Sequence, residues 1–116
     1  MPNEDREVLR SCHVPLLENI GDVISLCEHL YQHKILDGDD LDEIRNIPRK
    51  KDRNAHVLRT IQTRGNILDL VIEIMRGKRE NQEAAAILQR KRFQQSWTLS
   101  DNIRLLVRIV WLSGWG

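Results

Sequence analysis

Residues 3–20 read NEDREVLRSCHVPLLENI, and the spacing of their apolar members decides the fold class. Val8, Leu9, Cys12, Leu16, Leu17 and Ile20 recur at three- and four-residue intervals, which places them on one stripe of an α-helix. Asn3 stands where an N-cap is expected, with Glu4 and Asp5 in the first turn. Pro15 falls inside the pattern and has no backbone N–H to donate, so the helix is expected to bend or split there.

The same period continues along the chain. Val23, Leu26, Cys27 and Leu30 define a second helix after Gly21 and Asp22. A short third carries Leu41 and Ile44 and stops at Pro48, because proline disfavours helical geometry in the residue before it. A fourth runs through Ala55, Leu58 and Ile61 to Gly65, a suitable C-terminal stop. Ile67, Leu70, Val71, Ile74 and Met75 form a fifth that ends near Gly77, and Ala84, Ile87 and Leu88 a sixth behind Asn81. No stretch of comparable length alternates as a strand would. The expectation is an all-α protein of six short antiparallel helices joined by brief loops.

A chain of 116 residues with 41% hydrophobic and 30% charged side chains suits one soluble globular domain rather than a disordered tail. Cys12 and Cys27, the two cysteines, each sit in an apolar helical pattern and read as buried thiols of a reducing compartment. The start, MPNEDREVLR, is charged and lacks a hydrophobic region, so a cytoplasmic location is expected.

Residues 91–116 differ in composition. All three tryptophans, Trp97, Trp111 and Trp115, lie there, and LSDNIRLLVRIVWL (99–112) is an apolar run relieved chiefly by Arg104 and Arg108. It is too short to cross a hydrocarbon layer of about 30 Å as a helix. Three readings stay open: an extra C-terminal helix packed on the bundle, an element in a membrane interface, or a segment foreign to the domain. The division expected is a domain over 1–90 and an extension over 91–116.

The net charge is only +1, yet the signs are sorted. In DGDDLDEIRNIPRKKDR (37–53), Asp37, Asp39, Asp40, Asp42 and Glu43 come first, then Arg45, Arg49, Lys50, Lys51 and Arg53 with Asp52 alone against them. With so small a total, electrostatic specificity has to come from patches. Metal and catalytic patterns fit poorly. A calcium loop would need an acidic or amide residue at Leu41 and glycine at Asp42. Of Cys27, His29 and His33, only the two histidines fall on one helical face. Neither cysteine has the setting of an activated nucleophile, and no Gly-rich phosphate loop is present. No cofactor, metal or catalytic residue is expected, and RKKDR without interleaved aromatics reads as a solvated face rather than a nucleic-acid site.

Five fragments in order carry a resemblance: EDREVLRSC (4–12), LLENI (16–20), LYQHKIL (30–36), DEIRNIP (42–48) and VLRTIQTRG (57–65). Together they resemble a caspase recruitment domain of the death-fold superfamily. They are most similar to prodomains of initiator caspases, and to the recruitment domains of the apoptosome scaffold and of a caspase-recruiting death-domain adaptor. The resemblance implies a six-helix Greek-key bundle with a kinked first helix, as Pro15 does independently. It also implies homotypic binding between a basic surface on the first and fourth helices and an acidic surface on the second and third. Carried onto this chain, the basic surface is Arg10, His13, Lys50, Lys51 and Arg53, with His13 standing at a position the caspase pattern fills with a stronger base. The acidic surface is Glu28, Asp40 and Asp42, together with Asp37, Asp39 and Glu43. The implied role is a non-enzymatic module that clusters initiator caspases or their adaptors in apoptotic signalling, with self-association available to it. The alternative is a decoy or regulator built of this domain and its unusual extension, with a membrane role for that extension less favoured.

Overall fold

A computed structural model describes the backbone of residues 1–99 and the side chains of residues 1–94. The apolar run 99–112, apart from the backbone of Leu99, and with it Trp111 and Trp115, lies outside the described residues, as does the side chain of Trp97. The described residues form α-helices α1 (Asn3–Ser11), α2 (His13–Asn19), α3 (Val23–Gln32), α4 (Gly38–Arg45), α5 (Lys50–Ile61), α6 (Leu68–Arg76) and α7 (Gln82–Leu99), the last preceded by a 3-10 turn at Arg79–Asn81. The first of the six expected helices is thus two. It divides at Cys12, upstream of Pro15, for a reason that Pro15 supplies. A residue at 15 would ordinarily donate to the Ser11 carbonyl; proline cannot, and its ring crowds that carbonyl. The ladder resumes one step later, with Leu16 N–H on Cys12 O at 2.9 Å. Asn3 is not a cap: it is the first residue of α1, behind Pro2, and its side chain makes no capping bond.

Two buried long-range clamps among the described residues are asparagine side chains. The Leu17 carbonyl, near the end of α2, loses its helical donor because Gly21 N–H turns instead to Glu80 O at 3.0 Å. Asn54 of α5, fully buried, fills the gap by donating to Leu17 O and Ile20 O, both at 3.1 Å, so that α5 caps α2. Asn81, also fully buried, accepts from Asp22 N–H at 2.8 Å and donates to Asp22 O at 2.9 Å. Asp22 in turn caps α3 by accepting from Ser25 N–H at 3.0 Å. The chain leaves α3 through Lys34 in the left-handed region (φ 63°), with Ile35 N–H returning to Leu30 O and Lys34 N–H to Tyr31 O. That is the hydrogen-bond pattern of a helix stop that usually uses glycine.

The apolar stripes meet as expected. Leu9, Leu16, Ile20, Leu26, Leu30, Ile44, Leu58, Ile61, Leu68, Met75 and Leu88 are among the fully buried side chains, and α7 closes the core against α1, α2 and α6. Among the described residues the core cluster ends at Leu88. Deleting residues 94–116 should therefore leave a helical domain that unfolds cooperatively; circular dichroism with a urea titration measures this, and a non-cooperative transition would show that the extension completes the core.

Candidate protein-interaction surfaces

Helix α5 sets the geometry, since it lies between α2 and α4 and runs antiparallel to both. On the α2 side, Asn54 meets Leu17 and Ile20, while Gln62 at the far end shares a shallow cavity with Asn3, Arg6, Glu7, Arg10 and His13. On the α4 side, Glu43 faces His56 (Oε1 to Nε2, 3.8 Å) and Asp40 meets Arg64 just beyond the helix. The predicted basic residues therefore fall at two ends of α5. Arg10 and His13 cluster near Gln62, joined by Arg6 one helical turn away, whereas Lys50, Lys51 and Arg53 form the first turn of α5. About 18 Å of helix separates Lys50 from Gln62.

The helical state of that first turn has an energetic meaning. Three cations with Asp52 as the sole acid stand at the positive end of the helix dipole, where each is unfavourable by about 0.3–1 kcal/mol. Arg10, Lys50 and Lys51 are exposed and have no ion-pair partner among the described residues. Arg53 is half-buried, and its Nε has no hydrogen-bond partner.

The acidic residues are drawn together by α3 and α4, but they do not share one condition. Asp37 and Asp40 build a capping box on α4: Asp37 accepts from Asp40 N–H at 2.8 Å, and Asp40 Oδ2 accepts from Asp37 N–H at 3.0 Å. The other oxygen of Asp40 accepts from Arg64 Nη2 at 3.0 Å, and only 16% of its side chain is exposed. Asp40 is thus held inside the fold on both oxygens. Glu28 is more open, at 55%, and pairs with Arg45 at 3.2 Å. Glu43 has His56. Asp37, Asp39 and Asp42 are exposed carboxylates without an intrachain ion pair, and of the three only Asp37 is engaged, by the cap of α4.

Arg6 was missed in the sequence although its four-residue spacing from Arg10 was visible; Arg64 was missed because nothing local ties it to Asp40, 24 residues away. The buried Cys27 thiol is pushed up to about 12, mainly by burial and secondarily by the charge of Glu28, so it stays protonated at neutral pH. Among the described residues no group of three or more His, Cys, Asp or Glu side chains is arranged to hold a metal ion. No helix there is long and apolar enough to cross a membrane.

A family model described as Caspase recruitment domain matches residues 6–73, more than half of the chain. No curated protein and no solved structure matches.

Proposed function

Because the chain belongs to the caspase recruitment domain family, whose members are protein-interaction rather than catalytic domains, we propose that it recruits or clusters initiator caspases or their adaptors in the cytosol through its charged faces. Residues 1–90 act as the recruitment domain, and 91–116 as an extension whose first part continues α7 to Leu99. The observation that carries this reading is the first turn of α5. Lys50 and Lys51 are exposed, without ion-pair partners, and set against the helix dipole, an arrangement that costs folding energy and is understandable as a surface kept for a partner. Complementary charge gives such a contact its specificity and association rate more than its affinity, and clustering supplies the avidity.

The reversal Lys50→Glu with Lys51→Glu tests it in both directions at once. Glutamates in the first turn favour the helix by about 0.3–1 kcal/mol each, so the melting temperature should hold or rise while capture of initiator-caspase recruitment domains is lost. Raising salt from about 50 to 500 mM shortens the Debye length from roughly 14 to 4 Å, and should weaken wild-type capture in parallel. Capture that ignores both the reversal and the salt would refute the electrostatic contact.

A further inference from the structure

The two charged faces differ in readiness. The charge of Glu28 is already offset by Arg45 on Oε1, and Asp40 is engaged on both oxygens, by Arg64 and by the cap of its own helix. The attraction these carboxylates hold for a new cation is correspondingly weaker, and the arginines add positive charge where an incoming basic face would dock. Asp39 and Asp42 are open, while Asp37 is exposed but holds the cap of α4 and Glu43 faces His56. On the other face, Arg10, Lys50 and Lys51 have nothing to give up. Two unlike faces on one molecule ordinarily make a head-to-tail contact that repeats; a molecule with one ready face joins such a series and ends it.

We propose that this chain is a terminal subunit: it docks by its basic face on the acidic face of another recruitment domain, and Arg45 and Arg64 keep its own acidic face from accepting the next one. This rests on the homotypic reading above, narrows it from clustering by this chain itself to docking on an assembly of other recruitment domains, and adds a direction and a stop. It fits a regulator that limits the length of an assembly better than a scaffold that extends one.

The test uses the full chain and self-association, measured by size-exclusion chromatography with light scattering over a concentration series at low salt. Wild type should remain monomeric. Arg45→Gln with Arg64→Gln keeps the capping box and the side-chain bulk while removing both cations, and should strengthen self-association about tenfold or more. The gain should vanish when Lys50→Glu and Lys51→Glu are added, because the basic face is then lost. As a separate arm, that quadruple variant has only a freed acidic face, and should form a one-to-one complex with wild type.

Wild type that assembles as readily as the Arg45→Gln, Arg64→Gln variant would overturn the proposal while leaving the homotypic reading intact. A variant that stays monomeric would also overturn it, since the arginines would then not be what stops growth. Failure of the homotypic reading has a different signature: caspase-domain capture unaffected by Lys50→Glu and Lys51→Glu.

Discussion

Leu26→Ala and Leu58→Ala are each expected to lower the unfolding free energy by about 2–5 kcal/mol, through lost transfer energy and the cavity left behind. Leu26 is 0% and Leu58 1% exposed, and their helices, α3 and α5, pack on each other as well as on α4. The site is therefore framed by rigid elements on several sides and has little room to collapse. A domain of this size commonly holds about 5–15 kcal/mol in total, so either change removes a large share. Urea titration should show the midpoint falling with the slope unchanged. A midpoint close to wild type for both variants would mean that these residues do not bear the core.

Gly21→Ala should be comparably damaging, although it adds a single methyl group. A Cβ at this position would lie 2.5 Å from the Glu80 carbonyl oxygen and 2.8 Å from the Glu80 Cβ. Backbone on both sides cannot swing away as a side chain would. The segments must part, which breaks Gly21 N–H to Glu80 O and strains the two Asp22–Asn81 bonds beside it. Overpacking and the exposed hydrogen-bonding groups together come to about 3 kcal/mol or more. Gly38→Ala is the control: nothing lies within 4 Å of its Cβ, and it is the first residue of α4. That substitution should be neutral or stabilise by about 0.4–1 kcal/mol through the unfolded chain. Equal melting temperatures for the Gly21 and Gly38 variants would show that the close approach at Gly21 is not tight.

The helices were legible because each writes its inward face in a local period, and the match of Val23, Leu26, Cys27 and Leu30 to the buried side of α3 is typical. What sequence could not place were features whose partners lie far along the chain. Asn81 looked like a residue ahead of a helix, while its amide is spent on Asp22, 59 positions away. Asn54 carried no sign of capping α2. The stop after α3 was hidden because lysine rather than glycine takes the left-handed position. Pro15 was read correctly as a disruption, but its effect is felt four residues earlier, where the missing donor is needed. The sorting of charge at 37–53 was visible at once, whereas the division of the acids into structural, paired and open carboxylates depends on Arg64 and His56 arriving from elsewhere in the fold and on Arg45 meeting Glu28 of α3.

The junction of Gly21 and Asp22 with Glu80 and Asn81 also orders events during synthesis. At roughly 5–20 residues per second, about 3–12 s pass between the appearance of Asp22 and that of Asn81. Until then α2 and α3 have no strap to hold their connection, and α7 is not there to cover the stripe of Val8, Leu9, Leu16 and Ile20. Contacts this distant also slow closure once the chain is complete. A chain that has not yet reached Asn81 therefore carries the cationic groups of α1 and α5 without the strap that finishes the fold.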